Sequence, residues 1–547
     1  MANQTRQILI QSILGGHSLT TNFSAEDEFR TSLGIDPSLP INDDETSVYG
    51  VTASGLLRPA PVMNFSGTVG NQPRWIVGAR STTTLFMYDI SGSAYTLDTF
   101  GGNVAGISDG GSLSDSLGNG LAYYDNYLYF AKNTTIARYG PLDGTPGFDG
   151  DYWGTTLSKT ALSNIEYPLL LTIPSTYTGV PNHYLHRHSD GKLYIADTID
   201  NKGTIHFIST TKTTVEGDTD NGSTYNKLQF GYGLIPICME SYGSNLAVAL
   251  YERAGNANVN NVTGRSHSVR AKIAFWDTTS QNFNQITWVE FPDAMITAMK
   301  NVNGVLYVFS TSVEGATGYR ISRFVGGYTY EEVISSESGT SPFPGAVDGT
   351  SKRLVFGTQT MIPEQNGCVF SYGLQKSQLT NGLFNIAGTP TANVSVTALI
   401  LPGGEGTDAR QGFDLPVFAW TNSSSSHGVS LMATQNTPRY GRYPSVWWSK
   451  VFSIGQKFKI KRIRIPLGQV ISSTMTVVPK IYTDDGAGTT YTLTTIDNNN
   501  YSGKRSIVIR PENCTGENNF WLELRWTGSA LCTVSLPIII DYELVDD

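Results

Sequence analysis

The sequence predicts an all-β protein. A β-propeller of about seven blades is expected over residues 66–435, an N-terminal extended arm over 1–65 and a C-terminal β-sandwich over 436–547. Three observations lead there: a glycine-rich composition poor in charge, a strand pair that recurs along the middle of the chain, and a closing run of short strands. Of 547 residues, 15% are charged, 39% hydrophobic and 11% aromatic, and 57 are Gly. An average domain has about a quarter charged residues and about 7% Gly, so Ser, Thr, Asn and Gly take surface positions that Lys and Glu usually fill. The apolar content is that of a packed core, which argues against disorder. Low charge and many turn residues argue against a helical bundle or coiled coil.

Residues 1–65 look different from the rest of the chain. ILIQSIL (8–14) fits a short helix or strand, SAEDEFRTSLGI (24–35) opens with the Ser–Glu–Asp pattern of a helix start, and the prolines of GLLRPAPV (55–62) make it extended. Such a segment reads as an arm ordered by a neighbour.

From residue 66 a two-strand phrase repeats. It pairs RWIVGA (74–79) with TTLFMYDI (83–90), YDNYLYFA (124–131) with TTIARYG (134–140), and SDGKLYIA (189–196) with GTIHFIS (203–209). It continues as YGSNLAVAL (242–250) with KIAFWDTT (272–279), VNGVLYVFS (302–310) with YRISRFV (319–325), SKRLVFGT (351–358) with GCVFSYGL (367–374), and FDLPVFAW (413–420) with GVSLMAT (428–434). Leu128, Leu193, Leu246, Leu306 and Leu354 hold one place in five of these phrases, at spacings of 65, 53, 60 and 48 residues. Radially stacked sheets bury each other's faces and leave short edges, so seven phrases predict seven blades. Two sandwiches in series are the competing fold, but they require no repeated phrase. Beyond residue 435, segments such as SVWWSKVFSI, KFKIKRIRIPL, MTVVPKIYTD and NNFWLELRWT have the spacing of a compact sandwich.

The net charge of -9 supplies no basic footprint for nucleic acid, so no specific nucleic-acid binding is expected. The longest basic run, Lys457, Lys459, Lys461, Arg462 and Arg464, alternates with Phe458 and Ile460. It reads as the wet face of a strand or as a surface for an acidic partner. No apolar stretch is long enough for a membrane span or a signal segment. Cys238, Cys368, Cys514 and Cys532 are too few and too far apart for a disulfide scaffold or a zinc site.

Chemistry-bearing motifs are sparse. In NHYLHRHSDG, His186 and His188 share a strand face with Tyr184 while His183 takes the other; the pair suits either a metal or a wet channel lining. GDTDNGS (217–223) reads as an acidic turn, with a loop calcium as its alternative. No P-loop, no strand–GxGxxG–helix unit and no Ser/His/Asp set is recognisable. No catalytic residue, cofactor or metal ligand is assigned, and an enzyme is not expected. Trp447 and Trp448 are adjacent on a strand, so one points inward and the other outward, to cover a domain junction, stack on a sugar or dock a subunit. With Lys457, Lys459 and Lys461 they form the candidate binding or docking surface.

The opening LGGHSLTTNFSAEDEFRTSLGI (14–35), followed by ASGLLRPAPV (53–62), is similar to the start of many tail proteins of tailed bacteriophages. The layout resembles the propeller-bearing nozzle or tail-tube proteins of short-tailed phages. The chain is shorter than typical nozzle proteins and ends in a module suited to adhesion or docking. The resemblance implies a non-enzymatic virion protein, made in the host cytoplasm, that assembles into a homo-oligomeric ring with other virion proteins. The alternative is a tail fibre or spike that binds a host-surface glycan or receptor. A third reading, a propeller-fold carbohydrate-active enzyme, requires two carboxylates about 5–10 Å apart at the axial mouth.

Overall fold

The computed structural model describes residues 5–13, 15–18, 26–35, 56–57, 59, 62–78, 84–99, 102–107, 118–132, 134–150, 152–153, 183–199, 202–208, 228–252, 270–280, 286–293, 295–311, 319–336, 341–350, 353–361, 366–375, 378–392, 394–402, 416–422, 426–432, 445–471, 474–484, 488–527 and 532–545. GDTDNGS lies outside them. The fold is all-β, and among the described residues the α-helix is the single turn Asn498–Tyr501. The chain divides into two compact units. One comprises Met1–Asn64, Cys368–Pro390 and Leu431–Asp547, and the other Phe65–Gly367 and Thr391–Ser430.

Among its described residues the larger unit contains five four-stranded antiparallel meanders, each in sequence order. The first is Pro73–Gly78, Leu85–Asp89, Ala94–Asp98 and Asn103–Gly106. The second is Gly118–Tyr124, Tyr127–Lys132, Thr135–Gly140 and Gly147–Asp149. The third is Leu185–Arg187, Leu193–Ile199, Lys202–Ile208 and Leu228–Tyr232. The fourth is Leu234–Tyr242, Asn245–Glu252, Lys272–Trp276 and Thr287–Glu290. The fifth is Met295–Val302, Val305–Thr311, Tyr319–Gly326 and Thr329–Ser336. Two more leading strands follow: Val347–Gly349, paired with Leu354–Met361, and Val394–Ile400, paired with Val417–Asn422.

These seven leading strands touch one another in succession, and the last touches the first. This is the arrangement of a β-propeller, with leading strands innermost. One continuous core extends from Trp75 and Phe86 through Tyr194 and Trp276 to Phe324.

In the four phrases from YDNYLYFA to VNGVLYVFS the two members are the second and third strands of a sheet, whereas RWIVGA and TTLFMYDI are a first and a second. Leu128, Leu193, Leu246, Leu306 and Leu354 lie at the start of second strands and are fully buried. Tight hairpins precede several of them. Asp125 and Asn126 (φ 46° and 69°) and Asn303 and Gly304 (φ 52° and 84°) supply the left-handed pairs that a two-residue hairpin needs.

In the other unit, residues 1–65 differ from expectation. Their described part is not an arm standing apart from residues 436–547 but supplies strands to the same sheets. Thr5–Ile10 pairs antiparallel with Ile538–Leu544, and Glu28–Leu33 pairs with Ser445–Ser449. Of the helix expected from SAEDEFRTSLGI, Ser24 and Ala25 lie outside the described residues, and Glu28–Leu33 is a strand instead. Phe29, Thr31, Ser32, Leu33 and Ile35 are all buried, as in a strand covered on both faces, and strand pairing satisfies their backbone where a local cap would not. Leu56–Leu57 is extended and pairs with Val534–Ser535.

One sheet of this unit runs Thr5–Ile10, Ile538–Leu544, Phe458–Pro466, Ser506–Ile509. Another places Glu28–Leu33, Ser445–Ser449, Asn519–Trp526 and Thr476–Thr483 side by side. All four cysteines are buried free thiols.

Candidate functional site

Trp447 and Trp448 sit on a strand flanked on both sides, by Glu28–Leu33 and Asn519–Trp526. Alternation sends Trp447 into the core, 1% exposed, and Trp448 to the opposite face, where it is half-buried. There the Trp448 indole Nε1 donates to Glu523 Oε2 at 2.9 Å. Glu523 is buried and also accepts from Tyr482 Oη at 2.8 Å and Arg525 Nε at 2.9 Å, with Lys480 Nζ 3.6 Å away. Burial alone would raise its pKa, but the Arg525 and Tyr482 hydrogen bonds and the two cations hold it below the ordinary glutamate value. The Arg30 guanidinium lies over the rings of Trp521 and Trp448, 4.5 and 5.5 Å from their centroids, and Tyr482 stacks on Trp521 at 5.1 Å. Trp448 is therefore engaged by its own sheet.

The lysines are similarly placed. Phe458–Pro466 alternates buried and wetter residues, with Lys459, Lys461, Arg462 and Arg464 off the core. Lys461 Nζ donates to Glu543 at 2.9 Å, and Lys457 approaches Glu517 at 3.7 Å. Arg462 pairs with Asp541, which Gln7 Nε2 also reaches at 2.8 Å, with Arg464 3.8 Å away. Burial opposes ionisation of Asp541, but these donors keep its pKa below the ordinary aspartate value. Lys461 and Arg462 thus face acidic residues of Ile538–Leu544 across the ladder, and Asp541 joins them to Thr5–Ile10.

The histidines fall at the innermost strands of the larger unit. Ser241 Oγ lies 2.9 Å from both His186 Nε2 and His188 Nδ1, donating to one ring and accepting from the other. His183 turns away, its Nδ1 3.1 Å from the Ala196 carbonyl. Next to this pair is a constellation that sequence inspection did not identify. Lys300 Nζ bonds Asp348 at 2.9 Å, Asp348 Oδ2 accepts from Leu401 N, and Asn301 Nδ2 donates to the Ser241 carbonyl at 2.7 Å. His186, Glu240, Lys300 and Asp348 come from four successive leading strands. Burial, then the Lys300 and His188 charges, depress the His186 pKa to about 3. Burial raises Glu240 to about 7, against the pull of Lys300. Burial disfavours the Lys300 ammonium, yet Asp348 and Glu240 keep its pKa well above normal. Lys300 and Asp348, both half-buried, thus form an ion-pair clasp between neighbouring leading strands, with the buried Glu240 on the strand before them. Among the described residues no cluster of three or more His, Cys, Asp or Glu is disposed to hold a metal.

The clasp has a pH signature. Because Glu240 is raised to about 7 in the fold, its contribution is fullest below the unfolded value near 4.5 and is lost as pH rises through 7. Glu240→Gln removes that loss. Its melting temperature is expected to exceed wild type at pH 8, by an amount of order 3 kcal/mol in stability, and to match it near pH 5. Thermal melts at the two pH values check this, and equal differences at both would refute it.

No family model matches the chain, and no curated protein matches it. Among solved structures 868 chains match. One is YCF48 bound to a D1 peptide, 10% identical, with a TM-score of 0.39, covering 68% of this chain and 94% of that one.

Proposed function

We propose that the chain is a non-enzymatic structural component of a phage virion, a nozzle- or tube-associated tail protein that assembles into a ring through subunit contacts. In this reading the larger unit is a seven-bladed propeller, one blade per leading strand, and the other unit is a two-sheet β-sandwich. The protein reaches the virion after synthesis in the host cytoplasm, and its partners are other virion proteins and its own copies.

The observation that carries the reading is the place of the residues that resemble phage tail proteins. Gly15 N donates to the Asp27 carbonyl, and a Cβ at Gly15 would meet the Asp27 side chain at 2.7 Å. Gly16 has φ 79° and pairs with both Glu28 and Leu383. Leu56 and Leu57 of the G-L-L-R-P phrase pair with Ser535 and Val534. Gly15 and Gly16 thus tie the opening residues to Asp27, Glu28 and Leu383, and Leu56–Leu57 joins Val534–Ser535, so these residues have roles in the fold. The prominent charged and aromatic side chains are likewise engaged with one another, which favours function through subunit surfaces.

Light scattering of the full-length chain tests the reading, with a ring-sized oligomer expected. A chain that stays single at every concentration and binds a glycan array would favour the receptor-binding alternative.

A further inference from the structure

The sheet that begins with Thr5–Ile10 has two margins without a neighbouring strand among the described residues. Its order is Thr5–Ile10, Ile538–Leu544, Phe458–Pro466, Ser506–Ile509, and every junction is antiparallel. Farther along the second margin, Thr515–Gly516 pairs with Phe458–Lys459. The registers set Leu9, Ile539, Arg464 and Val508 in one row across the sheet. The two ends of that row are exposed aliphatics, Leu9 at 44% and Val508 at 37%. Natural edge strands are usually blunted by charged side chains, Pro or a bulge. TRQILI carries one charge, Arg6, three residues from Leu9, SIVI carries none, neither contains Pro, and each pairs with its inner neighbour without a register shift.

We propose that a second copy of this chain extends the sheet, with Thr5–Ile10 of one copy pairing antiparallel with Ser506–Ile509 of the next. The inference rests on the assembly reading above and gives it a contact. Four antiparallel strands are an even number, so a copy added in the same orientation presents its first strand antiparallel to the fourth strand of its neighbour. The alternation then runs on unbroken, and Val508 meets Leu9 at the junction. Joining unlike margins is a head-to-tail contact, which closes into a ring when the rotation between copies allows. Main-chain hydrogen bonds give affinity in such strand addition, and side chains at alternate positions give register.

The test compares the full-length chain with Leu9→Lys and Val508→Lys, each of which charges one margin at an exposed side chain. Light scattering reads the mass, and circular dichroism melts report the fold. Each variant is expected to fall from the oligomer to the 59.4 kDa single chain. An equimolar mixture of the two is expected to give a two-chain species, because each retains the margin that the other has lost. Where a lysine lowers the melting temperature, Leu9→Gln and Val508→Gln form the second pair. Oligomers that persist in both variants overturn the sheet junction and leave ring assembly standing. Dissociation in one variant alone means that like margins meet, which overturns the head-to-tail pairing. A wild-type chain that is always single overturns both.

Discussion

A chain lacking residues 1–35 is expected to lose the native packing of the unit that contains its C-terminal residues. The deletion removes Thr5–Ile10 from one sheet and Glu28–Leu33 from another, and with them the buried Ile10, Ile13, Phe29, Leu33 and Ile35. At about 1.5–3 kcal/mol for each buried side chain, the loss is on the order of 10 kcal/mol, comparable with the whole stability of an ordinary domain. Ile538 and Ile540, now buried on the neighbouring strand, would lie at a new margin. Near-ultraviolet circular dichroism is the measurement, since Trp447, Trp521 and Trp526 are buried in this unit. A truncated chain with an unchanged aromatic spectrum would show that the first strands are accessory. The same reasoning makes such a truncation unsuitable for judging assembly, because loss of oligomer would follow from loss of fold.

The second large effect is expected at Gly345. It lies in the short turn Pro344–Ala346, which touches the first, fifth and seventh leading strands of the propeller unit. A Cβ there would overlap the backbone carbonyl of Arg74 and sit 3.0 Å from the Trp75 ring. Backbone cannot step aside as the end of a flexible side chain can, so Gly345→Val forces the turn away from Pro73–Gly78. Overpacking usually costs about 1–3 kcal/mol, and a clash with main chain belongs at or above the top of that range. Urea unfolding followed by fluorescence reads the change in midpoint. A midpoint within experimental error of wild type would mean that the turn relaxes freely.

What was legible in the sequence follows from how far each signal travels. The buried leucines from Leu128 to Leu354 and the Asp125–Asn126 and Asn303–Gly304 turns are local, so period and turn chemistry identified them. The opposed directions of Trp447 and Trp448, and the wet face of the Lys457–Arg464 run, follow from alternation along one strand. The strand at Glu28–Leu33 is hidden from the sequence because its capping cue is local, whereas its partner, Ser445–Ser449, is more than 400 residues away. Glu240, Lys300 and Asp348 carried no signal at all. Each is one charged residue on its own leading strand, and only the succession of those strands brings them together.

The pairing of Thr5–Ile10 with Ile538–Leu544 also governs when the protein can come into being. At about 5–20 residues per second, a ribosome needs roughly half a minute to two minutes to complete 547 residues. For nearly all of that time the first strand has no partner to receive it. The sheet can close only after Ile538–Leu544 leaves the exit tunnel, so a nascent chain that stops short of this strand has no finished margin to offer another copy. Synthesis through Leu544 is thereby a checkpoint for recruitment, enforced by topology.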